Sequence, residues 1–534
     1  MKKTLRLAWN GYRYFAYERD FARREVKALI GTPTTDVDGG LLIEADDVNS
    51  FYPKLHRLTY FRQVVLPDGS ILVPDQAILE KSNGPSLKSH PVTTRQSTRY
   101  SAHGLHEYRG KFNPQVVRAI GNMLNLSEGA WVLDPFCGSG TTLLECAHSG
   151  WNAVGIDLNP LGVFISNAKI VASHASPEEL SSVTEGLTER LRARIGTLDP
   201  EREWSEPEKE LLAGGKWTEA LPNFDYLSAW FPRSVLAQIV AIISEINVSV
   251  PASMRAIFLV VASDILRDVS YQDPGDLRIR RRKNPHANYP AISIYLERLR
   301  RKIKAVTSAY NVIDPYDSEQ AAFVGDSRLS LEWIKGRCPN MSPPLFDAAI
   351  TSPPYATALP YIDTQRLSLC LLGLASSDNI MRLDRRMMGT REMLDSKRRE
   401  LDSQINDAEC VSLGKSATSL CKRMIETVSS SDGFRRRNMP ALIYSYFQDM
   451  ALALCNVKEM LKPSGIFALI VGSNRTILGG NSITIDTPRL LADTASSHGW
   501  EVAEIIELNT YQRYDVHQRN SIKTESLVLL KKPS

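Results

Sequence analysis

Two short stretches of this 534-residue chain set chemistry-bearing residues directly after apolar runs. The first is WVLD, Trp131 to Asp134, which passes into Pro135, Phe136, Cys137, Gly138, Ser139, Gly140, Thr141 and Thr142 and then into an apolar helical pattern, LLECAHSG. Strand, glycine-rich turn and helix in that order make a binding loop. Gly138 and Gly140 let the backbone turn tightly beside a ligand, and the helix start offers free N–H groups. The spacing is neither GxGxxG nor a phosphate loop with its lysine. Asp134 at the strand end suits a ligand carrying an ammonium group, as the methionine part of S-adenosylmethionine does. The second stretch is FDAAITSPPY, Phe346 to Tyr355. Consecutive prolines, Pro353 and Pro354, fix the backbone in an extended form that cannot continue as a helix. Beside a cofactor cleft, such a loop aims the Ser352 hydroxyl and the Pro353 carbonyl at an amino group, with the Tyr355 ring placed to stack on a base. Acceptors for both hydrogens of an exocyclic amine favour a pyramidal, nucleophilic nitrogen and receive the charge that develops during methyl transfer. The base must first leave its stack, and an aromatic face offsets part of that cost.

Two further acids end apolar runs. NAVGI, Asn152 to Ile156, leads to Asp157, about twenty residues after the glycines, where doubly wound folds hydrogen-bond ribose hydroxyls. The alternative is that Asp157 caps the helix starting near Pro160. AFVG, Ala322 to Gly325, leads to Asp326, suited to an adenine amino group. A second diproline, Ser342-Pro343-Pro344-Leu345, lacks both the preceding strand and the ring and reads as an ordinary turn. The seven cysteines form no CxxC pair and the nine histidines no metal-ligand spacing, so no metal is expected. Cys137 reads as a small packing residue rather than a nucleophile.

The elements that must position these residues form an α/β pattern. The chain has 43% apolar and 23% charged residues, enough for a large core, and no apolar run approaches the roughly 20 residues of a membrane span. The expected setting is cytoplasmic, without a membrane partner. Residues 1–80 read as an α+β module, with Tyr12–Tyr17 a strand, Phe21–Ile30 a helix and Gly40–Ala45 a strand. A polar stretch at 81–102 reads as a linker. Residues 103–172 are expected to carry the cofactor part, 173–320 a helical insertion, and 321–534 the catalytic part. From Arg278 to Lys304 there are ten basic residues and one acid. Arg278, Arg280, Arg281, Arg282 and Lys283, interleaved with Asn284, Pro285 and Tyr289, are candidates for nucleic-acid phosphates and stacking; the other reading is a solvated face.

DPFCGSGTT with Asp157 downstream and TSPPY resembles the DNA amino-methyltransferases that modify cytosine N4 or adenine N6. The resemblance spans about 103–175 and 321–531 and implies a doubly wound, Rossmann-like methyltransferase sheet of about seven strands. It also implies S-adenosylmethionine in the glycine loop and the target amine on Ser352, Pro353, Pro354 and Tyr355. Serine before the prolines is typical of the cytosine-N4 enzymes, so DNA is the implied substrate, with a separate restriction nuclease as functional partner. HEYRGKFNPQVV, residues 106–117, resembles the segment that closes over the cofactor and adds Lys111, Phe112 and Pro114. LPYIDTQRLSLCLLGL resembles the helix after the catalytic loop, and LKPSGIFALIVG and SIKTESLVLL the last strands. The glycine loop precedes SPPY here, whereas many cytosine-N4 enzymes have the reverse order, so the DNA-reading region is not transferable. The insertion is the candidate by elimination. The first 70 residues resemble the N-terminal module of tRNA guanine-N2 methyltransferases, which makes tRNA the alternative substrate; a third reading is a cofactor- and nucleic-acid-binding protein without turnover.

Overall fold

In the computed structural model, the apolar runs that end on acids are neighbouring strands of one sheet. The structure describes residues 3–534 except 83–94, 109, 196–222, 274, 276–278, 284–288, 312–315, 330–335, 337–344, 357–360, 392, 408–412 and 510–523. Its strands are β1 (Lys3–Trp9), β2 (Thr34–Val37), β3 (Gly40–Ala45), β4 (Phe61–Val65), β5 (Ile71–Leu72), β6 (Trp131–Asp134), β7 (Asn152–Asp157), β8 (Gln320–Val324), β9 (Phe346–Thr351), β10 (Leu461–Gly472), β11 (Asn474–Leu478), β12 (Asn481–Ile485), β13 (Glu501–Asn509) and β14 (Thr524–Lys531).

Seven of these form the main sheet, in the order β13-β14-β10-β9-β6-β7-β8. β10, β9, β6, β7 and β8 run parallel, and β14 is antiparallel to both its neighbours. The chain builds outward from β6 through β7 to β8, then returns to β9 on the other side of β6. That reversal opens a crevice at the carboxyl ends of β6 and β9, the usual ligand position in doubly wound sheets. Both faces are covered, which is why the inner strands are continuously apolar. Val132, Ala348, Ile350, Ala468 and Ile470 enter one core and Leu133, Ala349, Phe467, Leu469 and Val471 the other, as the two-residue period of a strand requires.

The first of these cores is shared with the N-terminal module, an antiparallel sheet in the order β2-β3-β1-β4-β5. The expected strand at Tyr12–Tyr17 is not formed. The strand lies earlier, at Lys3–Trp9, where Leu5 and Leu7 are fully buried while Thr4 and Arg6 are exposed. Tyr12–Phe15 is a connection pinned by Tyr14, whose hydroxyl accepts from Asn10 N (2.9 Å) and donates to Tyr60 O (2.5 Å). The helix Ala16–Ile30 and the strand Gly40–Ala45 contain the spans read from sequence. Of the 81–102 stretch, 83–94 lies outside the described residues. Its end is tied into the core: Arg95 pairs with buried Glu18 at 2.8 Å, and fully buried Tyr100 donates to Glu145 at 2.7 Å.

Between β7 and β8 the described chain is helical, including Pro177–Ile195, Arg233–Ser249, Arg255–Asp264 and Ala291–Tyr310, with one isolated bridge between Gln272 and Arg281. The basic run is only partly a surface. Arg278, Asn284 and Pro285 lie outside the described residues; Arg280, Arg281 and Lys283 are exposed. Arg281 lies over the Trp230 ring at 5.2 Å and donates to Ala229 O at 2.6 Å. Arg282 donates to Gln272 O (2.9 Å), Arg267 O (2.8 Å) and Asp268 O (2.8 Å) and lies over the Tyr289 ring at 5.4 Å. Tyr289 is buried, so the expectation that it stacks on a base does not hold. Further along, Arg298 bonds Asp264 and Asp268, and Lys302 bonds Asp264 and Leu105 O. No helix among the described residues is long and apolar enough to cross a membrane.

Arg282 therefore ties its loop to Gln272 and to the end of the helix Leu266–Val269. Arg282→Ala orphans three carbonyls and is expected to lower stability by about 1–3 kcal/mol, read as a reduced midpoint in urea unfolding.

Candidate active site

The glycine loop leaves β6 at Asp134 and is laced to its neighbours by main-chain bonds. Cys137 N donates to Ile156 O (3.0 Å), and Gly140 N to Cys137 O (2.7 Å). Gly138 and Gly140 have φ of +47° and +74°, which side chains rarely adopt. At Gly140 a Cβ would fall 2.1 Å from Ser166 Oγ, so this glycine serves close packing on the helix Pro160–His174. At Gly138 a Cβ would stand 3.3 Å from the Tyr108 ring, inside the cleft. Below the loop, buried Lys169 donates to Ser139 O (2.7 Å) and Ser139 Oγ (3.2 Å), and burial lowers its amine to about 7.

Asp157, at the end of β7, accepts from Gly138 N and from Asn159 N, both at 2.8 Å. It does not cap the following helix; Asn159 does, accepting from Leu161 N at 3.1 Å. Asp157 instead holds the glycine loop while remaining half-buried in the cleft. Burial raises its carboxyl to about 6 against those two bonds. Asp134 is 1% exposed, and burial likewise raises it to about 6. Its Oδ1 accepts from Phe136 N (3.1 Å) and from Thr351 Oγ1 (2.6 Å), the residue before the serine of SPPY.

One cleft of about 850 Å³, open to solvent, joins these parts. Of the residues expected at the site, it is lined by Lys111, Phe112, Phe136, Cys137, Gly138, Ser139, Thr141, Asp157, Asp326, Ser352, Pro353, Pro354 and Tyr355. Asp134, Pro135, Gly140 and Thr142 stand behind the lining, and Arg280 to Lys283 are not part of it. Lys111 contributes its stem, since its amine donates to Thr98 O (3.0 Å) and His103 O (3.4 Å) and is depressed by burial. Cys137 is buried, with its thiol raised by burial, in keeping with a packing residue. Pro114 begins the helix Pro114–Met123. The second diproline, 342–344, lies outside the described residues.

Sequence reasoning missed seven contributors. Tyr108 sits in the quoted HEYRGKF stretch; its hydroxyl accepts from Asn159 Nδ2 at 3.3 Å. Arg328 grips Asp326 through Nε (2.8 Å) and Nη2 (2.7 Å) and reaches Asp449 at 2.9 Å. Partial burial opposes ionisation of Asp326, but Arg328 outweighs it and keeps the carboxyl below its usual range. Arg386, Met387 and Met388 add a further wall. Glu525, on β14, accepts the Tyr355 hydroxyl at 2.6 Å and so fixes the ring. Asp449 and Glu525 stand far from either motif in sequence, so no local spacing marks them.

A second polar cluster lies behind the loop, where His103, Glu145 and His148 approach closely enough to hold a metal. Glu145 is already occupied: Arg118 (3.0 Å), His103 (2.7 Å) and Tyr100 (2.7 Å) all bond it. Burial opposes its charge, yet Arg118 and the histidine bonds keep it ionised.

Known methyltransferases resemble this chain. A family model described as DNA methylase, of the N6/N4 amino-methyltransferases, matches residues 83–165. Type II methyltransferase M.MvaI of Kocuria varians is 23% identical over 409 residues, covering 74% of this chain and 81% of its own length. Type II methyltransferase M.AvaI of Nostoc sp. is 23% identical over 420 residues, covering 73% and 78%. The tRNA (guanine(10)-N2)-dimethyltransferase of Methanothermobacter thermautotrophicus is 28% identical over 101 residues, only 19% of this chain and 26% of its own. The chain is thus similar to DNA amino-methyltransferases, over the glycine-loop region by family model and over most of its length by Type II relatives.

S-adenosylmethionine is the methyl donor of this methyltransferase, and the cleft fits it. The space at Gly138 that a side chain would fill admits a ligand against the loop, with a half-buried carboxylate at Asp157 and a second at Asp326 as acceptors.

Two outcomes are expected by calorimetry. Gly138→Val abolishes cofactor binding while the chain stays folded, because a branched side chain meets Tyr108 at a positive φ. Cofactor affinity also falls as pH drops through about 6: the ionised form of Asp157 accepts ligand hydrogen bonds, and its raised carboxyl protonates there. Constant affinity from pH 8 to 5 would remove Asp157 from the set of ligand acceptors.

Proposed function

We propose that the chain transfers a methyl group from S-adenosylmethionine to the N4 amine of cytosine in DNA, at a specific site. The observation that carries the DNA methyltransferase reading is the joining of the two motifs in one cleft: the glycine loop with Asp157 on one wall, Ser352 to Tyr355 on the other. The likeness to Type II methyltransferases over most of the chain supports the same substrate class. Cytosine is favoured over adenine by the serine at position 352, in line with the resemblance of TSPPY to the cytosine-N4 enzymes.

The cofactor supplies an electrophilic methyl group; the protein's part is to hold and orient the amine. Ser352 is half-buried on the cleft wall, on a loop whose prolines remove backbone freedom. Its hydroxyl and the Pro353 carbonyl offer two acceptors for the two amine hydrogens. As the C–N bond forms, the nitrogen gains positive charge and its hydrogens become stronger donors, so these bonds tighten in the transition state. Tyr355, held by Glu525, gives the extruded base a fixed face on which to stack. A separate restriction nuclease as functional partner, and the cytoplasm as setting, belong to the same proposal.

Pure protein incubated with labelled cofactor and unmethylated plasmid DNA is expected to yield N4-methylcytosine on nucleoside mass spectrometry. N6-methyladenine as the product would move the reading to adenine, and a methylated guanine from tRNA alone would end the DNA reading. Ser352→Ala is expected to cut turnover by about 10–100-fold while cofactor affinity changes little; full turnover would refute the acceptor role. Ser352→Asp is expected to reduce cytosine methylation without building an adenine pocket.

A further inference from the structure

The catalytic face of the sheet carries a short segment that none of the motifs includes: Asp432-Gly433-Phe434-Arg435-Arg436-Arg437-Asn438. Phe434 is 56% exposed, unusual for so large an apolar side chain, and the three arginines after it are all exposed. Its flanks, by contrast, are anchored. Asp432 is buried and accepts from Ser429 N (3.0 Å) and Gly479 N (2.7 Å), the latter at the tip of the β11–β12 hairpin. Asn438 is buried at the start of the helix Met439–Met460. Arg436 lies 3.8 Å from Asp432, a loose pairing that leaves it 54% exposed.

Register places this segment on the side where substrate must arrive. Leu469 of β10 pairs with Thr351, so the end of β10 at Gly472 is level with the SPPY loop. Gly472 also pairs with Glu525, which holds Tyr355. The β11–β12 hairpin starts two residues later, at Asn474, and its tip is the part bonded to Asp432. The helix Met439–Met460 gives a second measure. It leads into β10 and packs antiparallel to it, and at Asp449 it touches Arg328 on the cleft wall. From there its first residue lies ten positions, or about 15 Å, further toward the catalytic edge. The anchored turn thus stands beyond the cleft mouth, with Phe434 and the arginines turned to solvent.

We infer that this turn meets duplex DNA, Phe434 entering the base stack as an apolar wedge beside the extruded nucleotide and Arg435, Arg436 and Arg437 binding the flanking phosphates; the inference rests on the DNA reading above. Apolar side chains inserted between base steps are a known means of unstacking a duplex, and extrusion leaves a gap whose filling offsets part of the cost. Three cations beside the wedge match the charge density of the backbone, and their binding releases counterions. In the basic run of the insertion, Arg282 is engaged by the carbonyls of Arg267, Asp268 and Gln272, and Arg281 by that of Ala229.

Two measurements on the full chain test this. For binding to a mixed-sequence duplex, R435A/R436A/R437A is expected to flatten the slope of log K against log salt by roughly 2–3, close to 0.9 for each phosphate no longer neutralised; an unchanged slope overturns the phosphate role. On plasmid DNA, Phe434→Ala is expected to methylate about tenfold more slowly with wild-type cofactor affinity, and Phe434→Leu to recover part of the rate; wild-type rate in the alanine variant overturns the wedge. If the alanine variant also loses cofactor affinity, Phe434→Trp decides: added emission quenched by duplex supports insertion, and unquenched emission overturns it. Wild-type protein that methylates no DNA signals failure of the underlying reading, and the inference falls with it.

Discussion

The site depends on one buried hydrogen bond, from Thr351 Oγ1 to Asp134 Oδ1 at 2.6 Å. Asp134 ends the strand that launches the glycine loop, and Thr351 ends the strand that launches SPPY. The two strands are neighbours through only a short paired register, Val132 with Ala348 and Leu133 with Ala349. Beyond it, the side-chain bond carries the alignment to the strand ends, where the loops diverge around the cleft. Thr142 adds a second tie across the same junction, to Ile350 O at 3.3 Å. Methyl transfer requires donor and acceptor atoms to meet within about 3–3.5 Å in line, so an error at this junction would be felt directly in the reaction. Asp134 therefore holds the two loops together through Oδ1, while the half-buried Asp157 and Asp326 line the cleft itself.

Around that junction the protein sets charged groups in apolar surroundings and satisfies each by a specific partner. Lys169 under the loop, Glu145 with Arg118 behind it, and Lys302 with Asp264 in the insertion all follow this pattern. Such pairs contribute little net stability compared with apolar packing, because desolvation cancels most of the attraction. They do restrict geometry, since a displaced partner leaves a buried charge uncompensated. The Tyr100-His103-Glu145-Arg118 network joins the segment before Tyr108 to the helix that follows the glycine loop. In this way the segment leading to Tyr108 on the cleft wall is bonded to the helix that continues the glycine loop.

How much of this was legible in the sequence varied with the range of the interaction. Wherever an apolar run ended on an acid or on Ser-Pro-Pro, the strand and its terminal residue were readable, because strand, turn and helix are local patterns. Asp157, Asp326 and the residues from Ser352 to Tyr355 all line the cleft for that reason. The opening strand was missed because Lys3, Thr4 and Arg6 hide the alternation of Leu5 and Leu7, while the denser aromatics of Tyr12–Tyr17 imitate a strand in what is a hydrogen-bonded connection. Asp449 and Glu525 carried no local signal at all; the helix Met439–Met460 brings the first to Arg328, and the register of β14 with β10 brings the second to Tyr355. The basic run carries a related ambiguity. A sequence records arginine charge but not whether the guanidinium faces solvent or, as with Arg282, three carbonyls of its own chain.

That distinction between counted charge and available charge also bears on how the protein would approach its substrate. With a formal net charge of +4 over 534 residues, the chain as a whole exerts little long-range pull on a polyanion. Attraction must then come from clusters whose guanidinium groups are exposed and lie close enough together to act within one Debye length, about 8 Å at physiological ionic strength. Arg281 donates to Ala229 O, Arg282 to the end of the helix Leu266–Val269, and Arg298 and Lys302 are paired with Asp264. Arg435, Arg436 and Arg437 occupy consecutive exposed positions on an anchored turn at the catalytic edge, so their fields add where the cleft opens. A rigid mount matters as much as the charge. Phosphates bound by mobile side chains would leave the duplex free to slide over the cleft mouth, whereas a turn fixed by Asp432 and Asn438 fixes the duplex at a set height above Ser352.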